Sequence, residues 1–128
     1  MNTRTIAGAG AALALSITLV GGLPSMAKDG VVRNGSCSSS GDTKVKAGHD
    51  DGKIEVEGEV DTNRNGQQWR WRIVHDGKVA ARGRSRTHAP SGSFSVERRV
   101  ANHKGKDRIV FRAVRPATGE VCRAVVNF

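Results

Sequence analysis

Arg82, Arg84 and Arg86 alternate along one short stretch of the chain. On an extended backbone, alternate residues share a face and lie roughly 7 Å apart. A row of guanidinium groups at that spacing suits the repeated phosphates or carboxylates of a polyanion, each held by two hydrogen bonds. Such a row must face solvent, because buried and unpaired guanidinium groups are very costly. A two-residue turn at Asp76-Gly77 with a regular ladder would point these arginines at the tryptophan side. A bulge, or departure of the strand to another sheet, turns them outward, and the outward arrangement is the one expected. Glu55, Glu57 and Glu59 form an acidic row of the same period. Paired carboxylates are the residue types of glycoside hydrolysis. A nearby basic strand makes them structural partners instead.

Other residue types carry weaker signals. His49, His75, His88 and His103 sit in or beside turns, far apart and at no metal-ligand spacing, and are expected to be solvated loop histidines. Asp61-x-Asn63-x-Asn65-Gly66 matches the opening of a calcium loop. Arg72 stands where the closing bidentate Glu belongs, so an ordinary turn is expected. No serine lies in a Gly-x-Ser-x-Gly elbow, and no Gly-rich loop precedes a phosphate-binding Lys. The readings are therefore no enzyme, no cofactor and no metal.

The elements that must position these groups all have a period of two. Strands are expected near Ser36 to Ser39, Thr43 to Ala47, Lys53 to Asp61, Gln68 to His75, Lys78 to Arg86, Ser93 to Val100, Asp107 to Arg115 and Glu120 to Phe128. Short strands at regular spacing predict an all-β domain. An immunoglobulin- or fibronectin-like β-sandwich of about seven or eight strands is the first choice, and a small Greek-key barrel is the alternative. Trp69, Trp71 and Ile73 alternate with Arg70 and Arg72, which puts both tryptophans in the core. If Asp61 faces Gln68 in a hairpin, Val60, Gly58 and Val56 oppose Trp69, Trp71 and Ile73. Glu59 and Glu57 then oppose Arg70 and Arg72, pairs that stabilise a sheet by about 0.2–1 kcal/mol each.

The beginning of the chain bears on its destination. Arg4 precedes an apolar run from Ile6 to Leu23, followed by Pro24 and the small-residue site Ser25-Met26-Ala27. This is the layout of a secretory signal peptide over residues 1–27. The run is barely long enough to span a bilayer, so a cleaved leader is expected over a retained anchor. Residues 28–42 read as a flexible segment entering the first strand, and 43–128 as the sandwich domain. In an exported chain the only two cysteines, Cys37 and Cys122, form a disulfide between the first and last strands. The chain carries 21 Lys and Arg against 12 Asp and Glu, a net charge of +9. That surplus attracts polyanions without naming one.

Four blocks carry a resemblance: Asp51-Gly52-Lys53-Ile54-Glu55-Val56-Glu57, Arg64-Asn65-Gly66-Gln67-Gln68-Trp69-Arg70-Trp71, Ala89-Pro90-Ser91-Gly92-Ser93-Phe94 and Thr118-Gly119-Glu120-Val121-Cys122-Arg123. They resemble blocks in small secreted proteins of actinobacteria that have no assigned activity. The resemblance covers nearly all of the chain after the leader. It implies export and carries over no site residue. The expectation is a secreted, non-enzymatic binding or cell-envelope-associated module, with Arg82, Arg84 and Arg86 as the candidate anion-binding residues. Its partner would be an anionic extracellular polymer or another secreted protein. Specific nucleic-acid recognition and a membrane span after the leader are not expected. The alternative function is a secreted protein inhibitor or small-ligand carrier.

Overall fold

The computed structural model describes residues 30–128, so the leader expected over residues 1–27 lies outside the described residues. Nine strands follow in chain order: β1 (Val31–Asn34), β2 (Ser36–Cys37), β3 (Asp42–Asp50), β4 (Lys53–Asp61), β5 (Gln68–His75), β6 (Lys78–Arg86), β7 (Ser93–Ala101), β8 (Arg108–Arg115) and β9 (Glu120–Asn127). They form a four-stranded sheet in the order β1-β3-β4-β7 and a five-stranded sheet in the order β2-β9-β8-β5-β6. All pairings are antiparallel, and the two inner faces enclose one core. The protein is a β-sandwich.

Alternation sets the faces. On β4, Ile54, Val56, Gly58 and Val60 are buried, while the intervening glutamates are half-buried. On β5, Trp69, Trp71 and Ile73 are buried and Arg70 and Arg72 exposed, as their spacing predicts. Asp51-Gly52 joins β3 to β4 and Asp76-Gly77 joins β5 to β6. All four residues have positive φ: 45° and 76° in the first turn, 47° and 83° in the second. These are the dihedral signs of two-residue turns that keep successive strands in one sheet. The connections over 62–67, 87–92 and 102–107 instead carry the chain from one sheet to the other.

The first of those crossings overturns the predicted β4–β5 hairpin. β4 lies between β3 and β7, and β5 lies between β6 and β8. The Glu59–Arg70 and Glu57–Arg72 pairs therefore do not form. Glu59 opposes Lys44, with an ion pair of 3.6 Å, and Glu57 opposes Lys46. Arg70 and Arg72 oppose Arg84 and Arg82. Periodicity tells which face a residue occupies, not which strand lies beside it. Two strands with matching apolar sides bury them as well face to face as side by side. Gly58 shows the face-to-face contact directly: a Cβ there would lie 2.3 Å from Phe111 Cδ2 on the opposite sheet. The small-against-large match expected of Gly58 and Trp71 is made by Gly83, directly opposite Trp71 on β6, where a Cβ would lie 2.7 Å from the indole.

The N-terminal segment departs from expectation as well. One short strand is expected there, and two form. β1 pairs with β3 in one sheet and β2 with β9 in the other. The chain changes sheets at Gly35, where a Cβ would come within 2.0 Å of the Arg123 carbonyl oxygen. Only glycine permits that approach. Cys37 and Cys122 are bonded as expected. They face each other directly between β2 and β9, with Cα atoms 3.9 Å apart and 85 positions apart in sequence. Chain-entropy arithmetic for a loop of that size gives about 4.6 kcal/mol of stabilisation.

The segment opening at Asp61 turns through a local side-chain bond. Asp61 Oδ1 accepts from the Asn63 N–H at 3.1 Å, and Asn63 has φ 58°. The same crossing is clasped to the 87–92 crossing by backbone bonds. The Thr62, Gly66 and Thr87 N–H groups donate to Gly92, Thr87 and Gln67 carbonyls at 2.7–2.9 Å. Two crossings at one end of the sandwich thus lock each other in place.

Candidate anion-binding face

Arg82, Arg84 and Arg86 are exposed on β6, the edge strand of the five-stranded sheet. A bulge places them there. Ile73 opposes Ala81 but Val74 opposes Val79, so Ala80 is the extra residue that shifts the register. In a regular ladder without the bulge, Arg82 and Arg84 would stand opposite Trp71 and Trp69, in the inward positions held by Gly83 and Ser85.

The sheet extends this row into a field. Arg82 opposes Arg72, Arg72 opposes Arg112, and Arg112 opposes Arg123. Four guanidinium groups thus start from one line across four strands, each strand about 4.8 Å from the next. In the adjacent row Arg84 opposes Arg70, followed by Val114 and Val121. Arg86 opposes Gln68 in the row after that. Of these seven arginines only Arg112 is half-buried; the others are exposed. None of the seven forms an ion pair with another described residue. The only carboxylate within the strands of this sheet is Glu120, at the start of β9, and its Oε2 accepts from the Gly41 N–H at 3.2 Å.

The field has relief. Arg70, Arg72, Arg82, Arg84 and Arg112 border an open groove of about 670 Å³ with Val79, Val114 and Pro116. Val79 is 53% exposed, the most open of the large apolar side chains among the described residues. Five cations around a shallow apolar surface suit a flexible anionic chain that has apolar ring or alkyl faces between its charges. At the open side of the sandwich, Arg98 of β7 lies over the Trp71 ring at 5.0 Å, and Trp71 Nε1 donates to Ser85 Oγ at 3.1 Å. These contacts hold the indole beneath the groove.

The outer face of the other sheet has the opposite character. It bears Asp42, Asp50, Glu55, Glu57, Glu59, Asp61 and Glu97 among Lys44, Lys46, Lys53 and Arg99. Arg99 pairs with Asp50 at 2.5 Å and Lys44 with Glu59 at 3.6 Å. Burial, and then the neighbouring Glu97 and Asp50 carboxylates, push the Glu55 carboxyl above its ordinary range.

Sequence reasoning found three of the seven arginines. It assigned Arg70 and Arg72 to glutamates that are on the other sheet, and it did not single out Arg112 and Arg123. The outward parity of those two was legible: Ala113 and Phe111 flank Arg112, and Cys122 and Ala124 flank Arg123, all buried. That four such positions line up was not. The histidine reading also changes. His49 and His88 are exposed, with the His49 ring beside Phe128 at 4.6 Å, but His75 is buried and forms a hydrogen bond with Asp107. The chain matches no protein-family model, no curated protein and no solved structure.

Proposed function

We propose that the protein is an exported, non-enzymatic binding module that engages an anionic polymer through the outer face of its five-stranded sheet. The observation that carries this reading is the unneutralised line Arg82–Arg72–Arg112–Arg123. Like charges placed directly opposite each other destabilise a sheet, so the line is unsuited to a purely structural role. The leader pattern and the likeness to small secreted actinobacterial proteins support export. The Cys37–Cys122 disulfide accords with an oxidising compartment. Among the described residues no helix is long and apolar enough to cross a membrane.

The test is retention of the protein on a heparin-like and on a teichoic-type matrix across a salt gradient. Binding by several arginines weakens steeply with salt, because each neutralised anion releases counterions. Replacing Arg72, Arg82 and Arg112 together with Gln should move elution to low salt. Replacing Lys44, Lys46 and Lys53 on the other face should leave elution near the parent's. Equal losses from both faces would mean that net charge alone is responsible. Salt-insensitive capture of a co-secreted protein would favour the inhibitor or carrier reading.

A further inference from the structure

At the end of the sandwich away from the clasped crossings, two histidines and two aspartates converge. His75 is the last residue of β5 and Asp76 begins the β5–β6 turn. His103 and Asp107 belong to the crossing from β7 to β8. Their backbones are held firmly. The Asp76 N–H donates to the Arg108 carbonyl at 2.9 Å, and Asp107 and Phe128 exchange two backbone bonds of 2.8 Å. The His75 and His103 rings stack with centroids 4.1 Å apart and planes 12° from parallel.

The four polar atoms form a closed ring in which nitrogen and oxygen alternate. His75 Nε2 lies 2.5 Å from Asp107 Oδ1, which lies 3.6 Å from His103 Nδ1. His103 Nδ1 lies 2.6 Å from Asp76 Oδ2, which lies 3.5 Å from His75 Nε2. All four atoms fall within 4.8 Å of one another. Two independent His–Asp hydrogen bonds would explain the short contacts. They would not require each carboxylate oxygen to sit beside both imidazole nitrogens.

We propose that His75, Asp76, His103 and Asp107 form a four-ligand site for a divalent transition ion of the zinc class, which clips the β5–β6 turn to the β7–β8 crossing. Tetrahedral zinc with bonds of about 2.0–2.2 Å sets its ligand atoms roughly 3.3–3.5 Å apart. The 3.5 and 3.6 Å separations lie near that range, the two short ones need to open by up to about an ångström, and the stacked rings must tilt so that both nitrogen lone pairs reach one ion. His103 and Asp76 are exposed and stand on a crossing and a turn, where such an adjustment is easiest. Imidazole and carboxylate donors together suit zinc and its neighbours better than calcium or magnesium, which take mostly oxygen. Two carboxylates also neutralise a dication, which suits Asp107, only 1% exposed.

Hydrogen bonds orient both carboxylates, and Asp107 Oδ1 keeps a lone pair beyond the one backbone bond it accepts. Asp76 Oδ1 accepts from the Arg108 N–H at 2.7 Å, which directs Oδ2 inward. The Asn102 amide donates to Asp107 Oδ2 at 3.3 Å, and the His103 N–H donates to Asp107 Oδ1 at 3.0 Å. Supporting bonds of this kind orient metal ligands. With four protein ligands the site has the closed character of a structural centre.

The full chain, disulfide intact and stripped with a chelator, should take up one equivalent of zinc chloride in a calorimetric titration, and magnesium chloride should give no heat. Its melting temperature should rise with zinc and fall back on chelation. His103→Ala removes an exposed ligand, and Asp76→Asn removes a charge while keeping the shape. Each should weaken zinc binding by about 10- to 100-fold or more. The metal-free melting temperature of at least one of them should stay at the parent's value. Absence of zinc binding by the parent would overturn the proposal. So would unchanged zinc affinity in both variants, which would place the ion at exposed histidines elsewhere.

Discussion

The two outer faces of the sandwich use the same ladder geometry for opposite ends. On the four-stranded sheet, acidic and basic side chains mix across β3, β4 and β7, with ion pairs at Lys44–Glu59 and Arg99–Asp50. On the five-stranded sheet, arginine opposes arginine along Arg82, Arg72, Arg112 and Arg123, and no carboxylate is interposed. The first arrangement offsets much of its charge internally and keeps an acidic excess, seven carboxylates against four cations. The second keeps its charge unneutralised at some cost in stability. Net charge alone would not reveal this. Seven arginines stand together on one outer face, while seven carboxylates are gathered on the other.

The largest expected effect tests whether the two faces belong to one folding unit. Gly58 of the acidic sheet's central strand receives Phe111 of the basic sheet. Gly58→Val should destabilise the protein by about 3 kcal/mol through overpacking, in a single melting transition that removes both faces together. Near-parental stability would show that the sheets tolerate separation, and the comparison would then describe two loosely joined layers.

A smaller effect with the opposite sign sharpens the contrast. Replacing Arg72, Arg82 and Arg112 with Gln removes facing like charges, so stability should rise by a few tenths to about 1 kcal/mol while polymer binding is lost. Chemical denaturation of parent and variant reads the first quantity, and the salt gradient reads the second. A variant that loses binding and stability together would mean that the arginines support the sheet.

The smallest effect lies on the acidic face and depends on pH. The Glu55 carboxyl titrates above its ordinary range when folded. The folded state therefore binds that proton more tightly than the unfolded chain does. Its contribution to stability is fully present below the unfolded pKa and is lost as pH rises through the raised folded value. Glu55→Gln should flatten this part of the melting-temperature profile and raise the melting temperature at neutral pH. A profile unchanged by the substitution would show that Glu55 does not titrate differently on folding.

Much of the architecture was legible along the chain because a strand's two faces are written in alternate residues. The burial of Trp69, Trp71 and Ile73, the exposure of Arg70 and Arg72, the eight longer-recognised strands and the disulfide all follow from parity, turn residues and cysteine count. The exposure of Arg82, Arg84 and Arg86 was reached by weighing the cost of buried guanidinium groups, although the extra residue responsible, Ala80, has no sequence signal. β1 falls within the stretch that reads as a flexible segment, and its adjacent Val31 and Val32 show no alternation.

Residue types and their spacing determined an all-β chain, its inward and outward residues, its staple and its basic surplus, since each is a local or compositional property. Only the tertiary structure decided which strands are neighbours. Strand partners are chosen by crossings at 62–67, 87–92 and 102–107, whose direction depends on how whole apolar faces pack. That choice separated β4 from β5, aligned Arg112 and Arg123 with Arg72 and Arg82, and brought His75 and Asp76 to His103 and Asp107 from opposite ends of a long excursion. Contacts between residues so distant in sequence leave no periodic trace, because the chain between them is free to take many paths until the core closes.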